Sequence, residues 1–207
     1  MAENITPFSQ NDYEIVKREE LYQGVFRLAR YHVRQRKFNG EWSNIFTREV
    51  LERKSAAAIL PYDPILDHVI LIEQFRPGAL ANPESPWLLE VVAGVYTDEE
   101  PVEVAKRESL EEAGSNILDI YKICEYFVSP GGSNEFLTLY CGRVDASDAG
   151  GIHGLPDENE DIRAISVPAD EAFRMAQEGK IKTSPAIISL LWLQLNREWL
   201  KQLWQTR

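Results

Sequence analysis

Apolar and polar positions divide the chain into two regimes. Up to about Arg53 they alternate: Val25, Ala29, Tyr31 and Val33 share one side of a run from Val25 to Val33, and Ile45 to Leu51 alternates again. Between them Phe38-Asn39-Gly40-Glu41 supplies an Asn-Gly hairpin turn. Residues from Asp12 to about Arg53 therefore read as a small antiparallel β unit. Two or three strands alone are marginally stable, so this unit requires a partner surface, either the main domain or a second subunit.

From Ala56 the alternation gives way to near-continuous apolar runs, AAAILPY and then HVILIEQF, the pattern of strands covered on both faces. Trp87 to Val92 predicts a further strand that leads directly into Ala93-Gly94. A helix follows, with Pro101 where a first turn tolerates it, Asp98 and Glu99 as capping candidates, and Gly114 as the left-handed closing residue. Asp119 to Phe127 and Glu135 to Val144 predict strands around a Ser129-Pro130-Gly131-Gly132 turn. After the polar segment DASDAGGIHGLPDENEDIR come a strand over Ile162 to Val167 and two helices, about Ala169 to Gly179 and Ser184 to Trp204. On the last helix Ile187, Ile188, Leu191, Trp192, Leu195 and Trp199 fall within roughly a 140° arc, which predicts a core-facing stripe and leaves Leu193, Leu200 and Trp204 as interface candidates. The whole reads as an α/β fold with a mixed sheet between helices, divided into an N-terminal β unit over residues 1–54 and a main domain over residues 55–207.

Composition narrows what such a fold can do. A chain of 207 residues has room for a real core and no second catalytic domain. No run approaches the ~18 apolar residues of a membrane span, and the N-terminus MAENITPFSQNDYE lacks the basic start and apolar core of a secretory signal. Cys124 and Cys141 make no disulfide framework. The expectation is a cytoplasmic protein with no membrane partner. With 22 basic and 33 acidic side chains the net charge is −11, which repels polyanions and argues against nucleic acid. A small anionic substrate stays open, because bound cations reverse the local field.

The chemistry concentrates in Gly94 to Ile117, GVYTDEEPVEVAKRESLEEAGSNI. At helical spacing Glu108, Glu111 and Glu112 lie within about a 100° arc. Like charges three and four apart cost roughly 0.2–0.5 kcal/mol per pair, and Arg107 offsets part of this by pairing with Glu111. The cluster is either a solvated acidic face or the seat of a cation. Carboxylate oxygens favour Mg²⁺ or Mn²⁺ over zinc.

This stretch resembles the Nudix box, G-x5-E-x7-R-E-U-x-E-E-x-G-U with U a bulky aliphatic. Its loop-helix junction is one residue short, so either Glu99 or Glu100 takes the first motif glutamate, and Ser109 stands where the motif has an aliphatic. Over nearly its whole length the chain resembles the bacterial ADP-ribose pyrophosphatase branch of that superfamily, through FNG followed by TREVLER, VILIEQFRPGA, PWLLEVVAG, the box, SPGGSNE and GIHGLPDENEDIR. The resemblance implies an α-β-α sandwich, an N-terminal β unit exchanged between two subunits of a homodimer, and Mg²⁺-dependent hydrolysis of ADP-ribose to AMP and ribose 5-phosphate.

Residue by residue, the resemblance implies metal ligation by Glu108, Glu111, Glu112, Glu160 and the carbonyl of Ala93. It assigns activation of the water to Glu158, although some Nudix enzymes use a box glutamate as base. Arg76 matches a phosphate contact, Arg48 and Glu52 positions that reach a partner's substrate, and Glu135 a position near the terminal ribose. Each has a plainer competing reading: a surface arginine, a ladder of hairpin charges, a strand-start carboxylate. His153 reads as a loop-packing residue. Two rival functions remain, a Nudix sugar-nucleotide hydrolase of the GDP-mannose type, whose box can show the same shortening, and an inactive nucleotide-binding module.

Overall fold

A computed structural model describes residues 7–205. Residues 1–6, part of the N-terminal stretch read for a signal, lie outside the described residues. The chain divides into two compact units, one formed by the residues up to Arg53 together with Phe127–Glu135, the other by Lys54–Tyr126 and Phe136–Arg207.

The first unit is a three-stranded antiparallel sheet, β1 (Tyr13–Gln23), β2 (Arg27–Gln35) and β3 (Phe46–Glu52), in that order. The Asn-Gly turn forms as expected: Gly40 takes φ +84° and its N–H donates to the Lys37 carbonyl at 2.8 Å. β1 has no apolar alternation because charge holds its register. Glu14 meets Arg34, and Arg18 meets Glu52 across the sheet. The same unit takes in the Ser129–Ser133 turn, where Leu51 N–H donates to the Gly132 carbonyl at 2.8 Å.

The second unit contains a mixed eight-stranded sheet. Its path runs β10 (Gly150–His153), β11 (Ile162–Pro168), β5 (His68–Phe75), β4 (Ser55–Asp63), β9 (Phe136–Arg143) and β8 (Asp119–Phe127), with β6 (Trp87–Glu90) on β5 and β7 (Val92–Tyr96) on β4. β4 and β9 run parallel, whereas β5, β7, β10 and β11 join by antiparallel pairs. The helices are α1 (Pro101–Ala113), α2 (Ala169–Gln177) and α3 (Ser184–Gln205).

Two separate apolar clusters show why the central strands read as continuous apolar runs. Ala56, Ala58, Leu60, Tyr62, Val69 and Leu71 join the residues of α2 and α3 in one cluster. Ala57, Ile59, Ile70 and Ile72 join Val104, Ala105 and Ala113 of α1 in the other. Successive strand residues thus point to opposite helical layers, giving the α-β-α arrangement. Among the described residues no helix is long and apolar enough to cross a membrane.

Four expectations need correction. The strand foreseen over Trp87–Val92 splits, because β4 and β5 pair only at Tyr62–Val69 and Asp63–His68 and then diverge. The chain fills the gap by pairing first with β5 and then, after Val91, with β4. On α3 half of the expected stripe, Ile187, Ile188 and Trp192, packs on the core, while Leu195 is 84% exposed and Leu191 and Trp199 are also open; Leu193, Leu200 and Trp204, read as interface candidates, are buried in that same core. That helix carries large apolar residues on most sides, so periodicity alone does not select the face the sheet covers. The N-cap of α1 is Glu100, with no side-chain capping bond from Asp98 or Glu99. The polar segment after β9 contains β10 and a 3-10 turn over Pro156–Glu158.

Candidate active site

The divergence of β4 from β5 places a chain crossing, Glu90 to Gly94, against the carboxylate face of α1. α1 ends on Gly114 at φ +60°, where Gly114 N–H donates to the Leu110 carbonyl and Ser115 N–H to the Ser109 carbonyl, both at 3.0 Å. This closure fixes the last turn and with it the direction of Glu111 and Glu112.

Glu112 is only 3% exposed, and its Oε2 accepts from Ala93 N–H at 3.1 Å. Burial, reinforced by the charges of Glu108 and Glu160 and opposed by the Ala93 hydrogen bond and by Arg76, pushes its carboxyl up to about 8. Glu108 is raised in the same direction, again chiefly by burial, against the nearby Arg107. Its carboxylate lies directly over Gly94, where an added Cβ would come within 2.1 Å of Glu108 Oε1.

Arg107 gathers carboxylates from both the junction and the helix. Its guanidinium pairs with Glu108 at 2.9 Å, Glu111 at 3.1 Å and Glu99 at 3.4 Å. Glu100 instead gives its backbone carbonyl to Glu103 and Val104 N–H at the head of the helix. Glu99 is thus the junction carboxylate tied to the helix face. Among the described residues no three His, Cys, Asp or Glu side chains converge as a metal-holding group. The carboxylates share a face and a common repulsion, with Arg107 drawing Glu108 and Glu111 to one side.

Arg76, just past β5, makes a two-pronged pair with Glu90 at the end of β6, Nε to Oε1 at 3.1 Å and the terminal nitrogen to Oε2 at 2.8 Å. Glu90 is buried and Arg76 is 43% exposed at its side chain, so the guanidinium keeps an open side. Its charge acts on Glu112 and Glu160 as well. No apolar or charge pattern marks Glu90 as its anchor; only the pairing of Ile72 with Glu90 brings the two together.

The segment between β10 and β11 carries the remaining acidic candidates. Gly154 N–H donates to the Glu111 carbonyl at 3.2 Å, and Glu160 Oε2 accepts from Leu155 N–H at 3.2 Å. Glu158 closes the exposed 3-10 turn, and Asn159 follows at φ +56°. Gly154, at φ +98°, faces Glu160 so closely that an added Cβ would lie 2.8 Å from the Glu160 Cβ.

Three candidates belong to the first unit. Glu52 accepts from Arg18 at 2.9 Å and from Tyr31 at 2.5 Å, which hold its carboxyl down to about 2. Glu135 pairs with Arg53 at 2.8 Å. Arg48 donates to the Thr47 carbonyl at 2.8 Å and lies over the Phe46 ring, 4.9 Å from its centroid.

No protein-family model matches the chain. It is 48% identical over 198 residues to the ADP-ribose pyrophosphatase of Escherichia coli strain K12, covering 95% of each chain. It is 45% identical over 205 residues to the ADP-ribose pyrophosphatase of Haemophilus influenzae, covering 97% of this chain and 94% of that one. To the GDP-mannose pyrophosphatase of Salmonella arizonae it is 33% identical over 154 residues, or 72% of this chain and 78% of that one. In fold it is similar to a crystal structure of an ADP compounds hydrolase, with TM-score 0.67 and 21% identity over 95% of this chain and 98% of that one. The box helix, the strand crossing it faces and these full-length relatives agree: the chain belongs to the Nudix hydrolase superfamily, in its bacterial ADP-ribose pyrophosphatase branch.

Proposed function

We propose that the chain hydrolyses the pyrophosphate of ADP-ribose to AMP and ribose 5-phosphate with the aid of Mg²⁺ or Mn²⁺. The observation that carries the metal-dependent reading is Glu112: a carboxylate almost wholly buried beside Glu108, with a single N–H partner and a carboxyl pushed up to about 8. A carboxylate so placed gains most from a hard cation. The substrate follows from relatives that bear the name ADP-ribose pyrophosphatase over 95% of the chain, against 72% for the GDP-mannose pyrophosphatases.

The residues that would hold the metal are Glu108, Glu111, Glu112, Glu160 and the Ala93 carbonyl, all oxygen donors suited to such an ion. Bound there, a divalent cation supplies charge neutralisation for the two phosphates. Arg76, steadied by Glu90, offers the open side of its guanidinium to a phosphate oxygen. Glu158 accepts the proton of the attacking water, and its place on an exposed turn leaves its carboxylate free to meet solvent and substrate.

The N-terminal β unit over residues 1–54 is the proposed dimerisation element, exchanged between two subunits. Exposed Tyr13, Ile15, Val16, Tyr22 and Phe26 support a covered sheet in the assembly. Arg48 and Glu52, from that element, and Glu135 are further proposed substrate contacts outside the box. The protein is taken to work in the cytoplasm without nucleic-acid or membrane partners, in keeping with its charge of −11.

Product analysis with ADP-ribose, GDP-mannose, UDP-glucose and NADH, with and without Mg²⁺, tests this reading. AMP and ribose 5-phosphate are expected to appear fastest and only with metal. Faster turnover of GDP-mannose would move the chain to the sugar-nucleotide hydrolases, and binding without cleavage would make it a nucleotide-binding module.

A further inference from the structure

His153 lies at the end of β10, at the entry to the segment that carries Glu158 and Glu160. Its ring occupies the space above Gly114, the residue that closes α1. A Cβ added at Gly114 would stand 2.6 Å from His153 Cε1 and 3.4 Å from both ring nitrogens. The ring is oriented from the other side by its Nε2, which lies 3.0 Å from the Gly150 carbonyl oxygen and donates to it when Nε2 carries the proton. One residue further on, Gly154 N–H donates to the Glu111 carbonyl at 3.2 Å. Glu111 is one of the last carbonyls of α1 and has no partner within the helix. The segment is therefore joined to the carboxylate helix at two adjacent points, a flat ring seated on a glycine and a backbone hydrogen bond. Both lie within one turn of Glu111 and Glu112.

We propose that His153 is a positioning residue: seated on Gly114, it fixes the segment that carries Glu158 and Glu160 at a set distance from the carboxylates of α1. The proposal rests on the hydrolase reading given above, in which Glu158 accepts the proton. Gly114 then serves twice. It adopts the left-handed backbone that ends α1, and its missing side chain makes room for the ring. Gly154 completes the joint, since φ +98° and the closeness of Glu160 both exclude a side chain there. His153 touches no reacting atom in this scheme; it acts through Glu158 and Glu160. Displacements of about 1 Å at a reacting group cost up to about 100-fold in rate, so a joint two residues from the acidic turn has leverage on kcat.

The test uses the full-length protein with Mg²⁺ and ADP-ribose. His153→Ala is expected to lower kcat at least about tenfold while KM stays within about threefold. His153→Phe, which keeps a flat ring over Gly114, is expected to retain more than about half of kcat. The double variant with Glu158→Gln should fall well short of the product of the two single deficits, because only the placement of Glu160 is then left for His153 to fix. Amide exchange gives a readout apart from turnover: His153→Ala should speed exchange at Gly154 and leave the β4 and β5 amides protected. Should alanine loosen the sheet as well, His153→Leu carries the same expectation, with volume retained and the flat ring lost. Wild-type kcat in His153→Ala or His153→Leu, unchanged exchange at Gly154, or deficits that multiply in the double variant would each overturn the positioning role. Wild-type protein that leaves ADP-ribose intact would overturn the hydrolase reading itself, a separate result obtained before any variant is made.

Discussion

The carboxylate of Glu108 rests on Gly94, the residue at which β7 faces α1: a Cβ built there would lie 2.1, 2.3 and 2.4 Å from Oε1, Cδ and Cγ of that glutamate. The absence of a side chain at Gly94 is what lets the helix bring this carboxylate against the strand.

Gly94→Ala is accordingly expected to spare the fold and injure the site. The added methyl meets the flexible end of a glutamate, so Glu108 can swing aside at little cost, and the melting temperature should fall by less than about 4 °C. Swung aside, its carboxylate leaves the neighbourhood of Glu112. The Mg²⁺ concentration for half-maximal rate should rise at least about tenfold, as for loss of a group that supports a metal. Titrating activity with Mg²⁺ checks this; an unchanged half-saturation point would show that Glu108 is not needed where it lies.

Glu112 makes pH a second probe. Its carboxyl is raised from an ordinary 4.5 to about 8, so the folded protein binds the proton more tightly than the unfolded chain does. Its contribution to stability is complete below about pH 4.5 and is lost as pH rises through about 8. Metal-free protein should therefore lose melting temperature across that window, and Glu112→Gln, which has no proton to lose, should lose less. A divalent cation held by this carboxylate favours the ionised form, so stabilisation by Mg²⁺ should grow over the same window. Thermal melts at several pH values, with and without Mg²⁺, decide it; equal slopes for the two metal-free proteins would remove Glu112 as the titrating group.

The pairing of Arg76 with Glu90 predicts that charge alone does not suffice at this position. Arg76→Lys keeps the positive charge but loses the planar fork that meets both Glu90 oxygens while presenting its open side. KM for ADP-ribose should rise about tenfold, with a smaller change in kcat. Steady-state kinetics test it, and wild-type KM in the lysine variant would show that the second prong has no part in substrate binding.

Much of this site could be read before the structure was known, for a reason of scale. Glu108, Glu111 and Glu112 share a face through helical spacing alone, and Gly114 ends the helix through a backbone preference; both are local. What escaped depends on register or on choice of neighbour. Glu90 meets Arg76 only because β6 pairs with β5 at Ile72–Glu90. Glu99 reaches Arg107 only after a loop whose course no periodicity encodes. β1 is held by Glu14–Arg34 and Arg18–Glu52, pairs that look like scattered charge until the strands are aligned. On α3 the local signal was present but ambiguous: Trp192 stacks on Tyr121 of β8 at 5.4 Å and Leu193, next in the chain, is fully buried in the same core, while Leu191 and Leu195 are open. A helix apolar on two faces does not declare which one the core takes.

Ser109 supplies the last prediction. It stands on α1 where the Nudix box carries an aliphatic residue, is fully buried, and its hydroxyl has no hydrogen-bond partner among the described residues. Its surroundings on the sheet side of α1 are apolar, Val104, Ala105 and Ala113 among them. A hydroxyl buried without a partner costs about 1–3 kcal/mol by mutational measure. Ser109→Ala removes that cost, adds roughly 0.5 kcal/mol of helix propensity, and opens only a void of oxygen size. The net expectation is a gain of about 1–2 kcal/mol, or about 2–8 °C in melting temperature for a chain of this length. Because the carboxylates of Glu108 and Glu112 are held from Gly94, Arg107 and Ala93 rather than through Ser109, kcat should not change. Calorimetry on the alanine variant settles the matter: a lower melting temperature would mean that the Ser109 hydroxyl has a partner in solution, a backbone carbonyl one turn earlier or a buried water, and that the polar residue in this position stabilises the helix rather than burdening it.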